Sequence, residues 1–178
     1  DAQEVHKITI IPRGMAGGYT MMLPKEEKIA VMTKDELLAQ ITGLLGGRVS
    51  EEMFLHEIST GASDDFKKAT RIARSMVTEY GMSDLGPIQY EHSGGNVFLG
   101  RDYSNSSNYS GQIAFEIDKE VRRIIDECYD HAKRLIQENR PLMDLLVDAL
   151  LENETLTAEN IENIVQGRAY NDTPVIGA

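Results

Sequence analysis

The sequence predicts a mainly α-helical domain with a small β-ribbon near its N-terminal end. Across residues 33–167, apolar side chains recur every three or four positions in successive segments, which is the period of amphipathic helices. Only residues 5–11 and 19–23 have the β-branched, partly alternating composition of strands. The composition agrees with this prediction, since 41% apolar and 26% charged residues over 178 positions are typical of an ordinary globular domain.

The predicted ribbon consists of these two short strands, and the connection between them includes the permissive turn at Gly17-Gly18. We expect it to be the only β structure of the chain. No Gly-Lys-Ser/Thr follows the glycines, so they do not indicate a phosphate-binding loop. An open strand edge can bind a peptide, but a hairpin that packs on the core is the simpler interpretation.

The first helix is predicted to begin at Thr33-Lys34-Asp35-Glu36, which is a capping box. We expect Gly46-Gly47 to end this helix, because glycine lowers helix stability. Residues 48–55 are then predicted to form a separate helix that carries Glu51 and Glu52. Such a carboxylate pair is usually solvated surface.

The next helix is predicted to begin at Ser63, whose hydroxyl can accept a backbone N–H of the first turn. That turn carries Asp64 and Asp65, where the positive end of the helix dipole favours anions, and Gly81 ends the helix. Two interpretations are open at this point. Local physics favours a well-capped core helix, and the sharper hypothesis is that one of the two aspartates is a metal ligand.

The second half of the chain is predicted to form one long irregular connection followed by three helices. Residues 82–108 are rich in Ser, Gly, Asn, Asp and Pro, and long irregular connections of this kind are often functional. The longest helix is predicted over residues 112–138, with Ser110 as its cap. A further helix begins at Pro141, and Thr157 caps the last one.

Charge and cysteine content exclude several classes of function. The net charge of −11 argues against a nucleic acid or an anionic membrane surface as the main partner. No apolar run approaches the ~18 residues of a membrane span, so we expect no direct membrane insertion by this segment. The single cysteine, Cys128, excludes an internal disulfide, and its place on the apolar stripe of the long helix indicates a core residue.

The four histidines, His6, His56, His92 and His131, do not predict a self-contained zinc site. No two of them have the spacing of a His-Glu-x-x-His helix, and no Cys-His cluster is present. No Gly-x-Ser-x-Gly motif marks a serine nucleophile. Residue chemistry alone therefore predicts no more than a helical domain with an acidic helix start.

Six segments of the chain are more specific, because together they match the motifs of a known family in the same order. They are Val-His-Lys-Ile-Thr-Ile-Ile-Pro-Arg-Gly (5–14), Leu-Leu-Gly-Gly-Arg-Val-Ser-Glu-Glu (44–52), Ser-Thr-Gly-Ala-Ser-Asp-Asp-Phe (59–66), Met-Val-Thr-Glu-Tyr-Gly-Met-Ser-Asp-Leu-Gly-Pro (76–87), Val-Phe-Leu-Gly-Arg (97–101) and Ile-Asp-Lys-Glu-Val (117–121). Together they resemble the peptidase domain of the FtsH family. The resemblance covers nearly the whole chain to about residue 168.

This resemblance implies that the chain belongs to a membrane-anchored, ATP-dependent zinc metalloprotease that degrades membrane and cytosolic proteins. It implies Zn²⁺ in the peptidase domain, ATP and Mg²⁺ in a separate upstream ATPase domain, and assembly as a homo-hexamer. The implied location is the cytoplasmic side of the bacterial inner membrane. The membrane segments that provide this location are expected outside the present chain.

In the FtsH family, the third zinc ligand is an aspartate that follows the Ser-Thr-Gly-Ala segment. By this resemblance the ligand is Asp65, and Asp64 takes a place commonly held by asparagine. Glu51 or Glu52 is the rival ligand, because other zincins use a glutamate from a downstream helix. We favour Asp65 and expect a supporting or structural role for the glutamate pair.

The resemblance also implies a substrate-binding strand. In the family, the residues that correspond to Gly18, Tyr19 and Thr20 lie along the active-site cleft, where a strand edge can hold the substrate backbone. We assign residues 1–168 to the FtsH-like peptidase domain and residues 169–178 to a flexible C-terminal tail.

One part of the family pattern is missing, because these 178 residues contain no His-Glu-x-x-His motif. We expect both histidine ligands and the general-base glutamate upstream of Asp1, in a longer protein. The chain alone should then be inactive and a poor zinc site. The alternative is a non-catalytic assembly or scaffold module of an inactive FtsH-like subunit, in which helices 112–165 provide subunit contacts.

Overall fold

The structure, a computed structural model, describes residues 4–12, 14, 17–23, 31–91 and 109–171. Its elements are β1 (Glu4–Thr9), β2 (Tyr19–Leu23), α1 (Lys34–Ser50), α2 (Ser63–Thr78), α3 (Gly111–Glu138), α4 (Arg140–Asn153), β3 (Thr155–Thr157) and α5 (Ala158–Val165). A π-helical turn (Glu51–Leu55) follows α1, and a 3-10 turn (Thr60–Ala62) precedes α2. The predicted mainly α fold with an N-terminal ribbon is confirmed.

The chain forms two compact units, each with its own apolar core. The first lies within Met32–Arg134 and contains α1, α2 and most of α3, and the second combines the ribbon with residues 135–171 of the described chain. The core of the first unit consists of Leu37, Ile41, Leu45, Ala69, Ala73, Met76, Val77, Ile117, Ile124 and Cys128. Cys128 is thus a core residue, as its position on the apolar stripe predicted. The core of the second unit is built around Ala149, Leu156 and Ile164.

Helix α1 corrects the first helix prediction, because it does not end at Gly46-Gly47 but runs unbroken to Ser50. A glycine in a helix costs about 1 kcal/mol relative to alanine. Leu45 and Val49, on either side of the glycines, are both fully buried, and burying such a side chain contributes about 1.5–3 kcal/mol. Burial of the flanking residues therefore outweighs the local preference against helix.

The sheet also differs from the prediction, because the ribbon is not the only β structure. Strand β3 pairs antiparallel with β1, which gives the order β2-β1-β3. The three residues of β3 are too short for an alternating pattern to show in the sequence. Their pairing depends on β1, which lies about 150 residues earlier, and the Thr9 hydroxyl lies 2.8 Å from that of Thr155.

Several helix ends agree with the predicted capping residues. Thr33 forms the expected capping box, and Thr157 forms another with Asn160 at the start of α5. The Ser110 hydroxyl accepts the backbone N–H of Ile113 at 3.4 Å. Among the helices of the described residues, none combines the length and the apolar character needed to cross a bilayer.

The chain leaves α2 through Gly81, which has a positive φ of 61°. A Cβ atom at this position would lie 2.7 Å from Cα of Pro87, so the turn requires glycine. The irregular connection predicted over 82–108 is described only as far as Glu91, and the description resumes at Tyr109. The described part is irregular, as predicted.

The predicted tail, residues 169–178, lies outside the described residues from position 172 onward. Before that point Tyr170 contacts α5, since Nδ2 of Asn160 donates to its carbonyl at 2.8 Å. Tyr170 also packs beside the apolar core of the second unit.

Candidate metal-ligand site

Asp65 lies in the first turn of α2 and is half-buried, whereas the adjacent Asp64 is exposed. The Asp65 side chain keeps 41% of its surface exposed, and its ion pair with Lys68, one helical turn further on, is long at 3.9 Å. The amide groups at the helix N-terminus stabilise a negative charge here. The Asp65 carboxylate is therefore accessible to solvent, and its ion pair with Lys68 is weak.

The turn before α2 differs from the prediction that Ser63 is the helix cap. Ser63 is the first residue of the helix itself, and Ala62, which precedes it, makes no side-chain capping bond. The reason is the 3-10 turn, in which the backbone N–H of Ser63 already donates to the carbonyl of Thr60. Ser59 caps this turn instead, because its hydroxyl accepts the N–H of Gly61 at 3.1 Å.

The side chains of Arg48 and Glu51 hold this turn from the end of α1. Nη2 of Arg48 donates to the carbonyl of Ser59 at 2.7 Å. Glu51 accepts both the hydroxyl and the backbone N–H of Ser59, the latter at 3.3 Å. The hydrogen bond from the Ser59 hydroxyl holds the pKa of Glu51 below its usual value. The start of α2 is therefore connected to α1 through charged hydrogen bonds.

Glu52 points to a different partner than its neighbour Glu51. It accepts a hydrogen bond from the hydroxyl of Tyr129 on α3 and lies 3.6 Å from Nζ of Lys133. The Tyr129 hydroxyl lowers the pKa of Glu52, and burial together with this bond raises the pKa of Tyr129 to about 12. Both glutamates are thus engaged in contacts between elements, and the choice between them and Asp65 as the metal ligand stays a prediction.

The described residues do not form a complete zinc site by themselves. Within residues 4–12, 14, 17–23, 31–91 and 109–171, no three His, Cys, Asp or Glu side chains come close enough to share a metal. A catalytic zinc needs three protein ligands, and Asp65 by itself offers one oxygen donor. Of the four histidines, His92 lies outside the described residues.

The candidate substrate residues Gly18, Tyr19 and Thr20 lie in the second unit, and Asp65 lies in the first. Tyr19 and Thr20 begin β2, one of the two edge strands among the described strands of the sheet, and Thr20 is exposed. Gly18 has a structural role as well, because a Cβ there would lie 2.6 Å from the carbonyl oxygen of Thr9 on β1.

Sequence reasoning missed the role of Arg48, whose side chain contacts both Ser59, before α2, and Phe66, in its first turn. The signal available was the Arg48–Glu51 spacing of three, which allows an ion pair on one helix face. Here Nε of Arg48 lies 3.4 Å from Oε2 of Glu51. The spacing does not reveal the contact with Ser59, which depends on how the following chain folds back.

The chain is similar in sequence to known proteins. The sequence pattern of peptidase family M41 matches residues 1–164. The chain is 57% identical over 167 residues to the ATP-dependent zinc metalloprotease FtsH of Bacillus subtilis, which covers 93% of this chain and 26% of that protein. It is 58% identical to the protein of the same name from Acholeplasma laidlawii, over 92% of this chain and 25% of the relative. The chain thus spans about a quarter of the length of these relatives.

Proposed function

The chain belongs to peptidase family M41, and from this we propose that it is part of the peptidase domain of an ATP-dependent zinc metalloprotease. The observation that carries the proposal is the position of Asp65. It is a half-exposed carboxylate in the first turn of a helix whose start is held by charged hydrogen bonds. The helix N-terminus favours the negative charge of this carboxylate, and the hydrogen-bonded turn before it fixes its direction, both of which suit a metal ligand.

In this proposal Asp65 contributes one zinc ligand, and the remaining ligands and the general base come from a segment outside this chain. The 178 residues contain no His-Glu-x-x-His motif, and the described residues form no complete metal site. The chain by itself should therefore neither retain catalytic zinc nor cleave peptide bonds.

Gly18, Tyr19 and Thr20 are proposed to bind the substrate backbone at the free edge of β2. Support comes from the sheet order, in which β2 pairs with β1 on one side only among the described strands. An exposed strand edge presents unpaired N–H and C=O groups that match those of an extended peptide. Protein substrates of low sequence specificity fit this mode of binding, because most of the contacts are made by the backbone.

The family also supports proposals for the whole protein. We propose residues 1–168 as the part of the chain that forms the peptidase domain and residues 169–178 as a tail. A homo-hexamer, an ATPase domain that binds ATP and Mg²⁺, and anchoring on the cytoplasmic side of a bacterial membrane belong to the longer protein in this proposal. The dependence on ATP and zinc in this proposal is supported by the names of the relatives, which are ATP-dependent zinc metalloproteases.

The experiment that tests the proposal compares Asp65→Asn with Asp64→Asn in the longer protein. Loss of a direct ligand should reduce both bound zinc and casein cleavage by at least about 100-fold, since even partners of ligands affect metal affinity by 10–100-fold. Asp64→Asn is the matched control, because Asp64 is exposed, and it should retain both properties.

Zinc content and casein cleavage at the wild-type level in Asp65→Asn would remove Asp65 from the site. A longer wild-type protein that lacks both zinc and cleavage would instead favour an inactive scaffold subunit.

A further inference from the structure

Arg48 has an environment that is unusual for a charged side chain on the last turn of a helix. Only 16% of its side chain is exposed. Its guanidinium donates to the Ser59 carbonyl, lies 3.4 Å from Glu51, and has its central carbon 4.9 Å from the centre of the Phe66 ring. We call Arg48, Glu51, Ser59 and Phe66 the Arg48 cluster.

Two members of the Arg48 cluster, Ser59 and Phe66, lie before and after Asp65 in the sequence. Ser59 begins the 3-10 turn that leads into α2, and Phe66 directly follows Asp65. Helix α2 has no side-chain cap of its own. Contacts from outside the helix therefore hold its first turn, and Arg48 makes contacts on both sides of Asp65.

The chemistry of the cluster requires arginine in particular. A guanidinium is planar, so it can lie over an aromatic ring while one N–H group donates to a carbonyl and its charge pairs with a nearby carboxylate. A lysine ammonium carries the same charge but cannot make the stacking contact and the directed hydrogen bonds at the same time.

We propose that Arg48 is a positioning residue that sets the direction of the Asp65 carboxylate by holding the first turn of α2. The inference rests on the proposed role of Asp65 as a metal ligand. In this proposal Arg48 contacts neither the zinc ion nor the substrate. Its effect passes through the Ser59 carbonyl and the Phe66 ring.

The first test measures hydrogen exchange in the 178-residue chain and needs no metal. In Arg48→Met the amides of residues 60–66 should exchange about tenfold faster, the loss expected for a hydrogen bond to a charged group. Amides in the C-terminal half of α2 should keep their rates. Arg71→Met is the control, because Arg71 is an exposed arginine of α2 itself, and it should change the exchange rates of neither group of amides.

The second test measures zinc affinity in the longer protein by competition with a chelator. Arg48→Met should bind zinc about tenfold more weakly, near the lower end of the range found when residues that orient metal ligands are lost. Arg48→Lys should fall between Arg48→Met and the wild type, and Arg71→Met should match the wild type.

The outcomes separate this inference from the proposed function. If Asp65→Asn loses zinc while Arg48→Met binds it like the wild type, the positioning role is wrong and the ligand assignment stands. If Asp65→Asn also keeps its zinc, the proposed function fails first. Exchange that rises equally across the whole first unit in Arg48→Met, with no partial recovery in Arg48→Lys, shows a general stabilising role and overturns the inference.

Discussion

At the scale of single residues, Arg74, Glu91 and Tyr109 show how side chains join segments that lie far apart in sequence. Nη2 of Arg74 donates to Oε1 of Glu91 at 2.9 Å and to the Tyr109 hydroxyl at 3.2 Å, and that hydroxyl donates to the same Glu91 oxygen at 2.6 Å. The hydrogen bond from Arg74 holds the pKa of Glu91 below its ordinary value. The ionised form of Glu91 is therefore the form that stabilises the fold.

A pH-dependent stability follows from the lowered pKa. A carboxyl group whose pKa falls on folding stabilises the protein above its unfolded pKa, about 4.5 here, and this stabilisation is lost as the pH falls through the lower folded value. Glu91→Gln should lower the free energy of unfolding by about 1 kcal/mol at pH 7, a modest value because the pair is partly exposed. Urea unfolding at pH 7 and at pH 3 measures the difference.

The difference between wild type and Glu91→Gln should shrink at pH 3, because below about pH 4.5 the unfolded chain takes up a proton at this carboxyl group and the stabilisation declines. Glu57→Gln serves as the control, since Glu57 is exposed and should have little effect at either pH. An equal difference for Glu91→Gln at both pH values would contradict the assigned role of the ionised carboxylate.

At the scale of elements, β2 is an edge strand with a largely exposed surface. Met21, Met22 and Leu23 are 40–46% exposed. An exposed apolar edge invites pairing with other chains, and proteins normally protect such edges unless the edge is used. The exposure of β2 therefore supports its proposed role in holding a substrate backbone.

Proline substitutions at adjacent positions can separate pairing with β1 from pairing with substrate. Successive N–H groups of a strand point to opposite sides, so of Thr20 and Met21 one donates toward β1 and the other toward the free edge. One of Thr20→Pro and Met21→Pro should destabilise the fold. The other should leave the midpoint of thermal unfolding nearly unchanged but raise KM for a peptide substrate in the longer protein.

Each proline variant is the control for the other, because both remove one N–H from the same strand. The substrate role of β2 is contradicted if neither variant changes KM, or if KM rises only in the variant that also loses stability.

At the scale of the whole molecule, the β1–β3 pairing brings the N-terminal ribbon together with the C-terminal helices in the second unit. Ile8 pairs with Leu156, which is fully buried and packs with Ala149 and Ile164. One short strand thus belongs both to the sheet and to the apolar core. The second unit depends on contacts between residues about 150 positions apart.

Leu156→Ala tests this dependence. Removal of a fully buried leucine should lower the free energy of unfolding by about 2–5 kcal/mol, and hydrogen exchange at Ile8 and Thr9 should accelerate because their strand partner is disturbed. Leu151→Ala is the matched control, since Leu151 is 70% exposed, and it should change stability by less than about 0.5 kcal/mol. Similar losses in the two variants would show that Leu156 does not hold the second unit together.

Sequence patterns predicted the parts of the candidate site that depend on neighbours in the chain. The acidic start of α2 follows from the apolar period and the turn residues before it. The family resemblance predicts Asp65 and not Asp64 as the ligand, and this stays a prediction. The prediction of Ser63 as the cap was wrong because an additional 3-10 turn precedes the helix. The contribution of Arg48 could not be predicted, because its partner Ser59 is brought near only when the chain turns back after α1.

The sequence by itself determined the mainly helical fold, the ribbon, the capping residues Thr33 and Thr157, and the family, because these are encoded in patterns over a few neighbouring residues. Only the tertiary structure decided that α1 continues through its glycines, that β3 joins the ribbon, and that Arg48 holds the start of α2. Each of these depends on burial or hydrogen bonds between segments that meet only in the folded chain, where their free energies outweigh the local preferences.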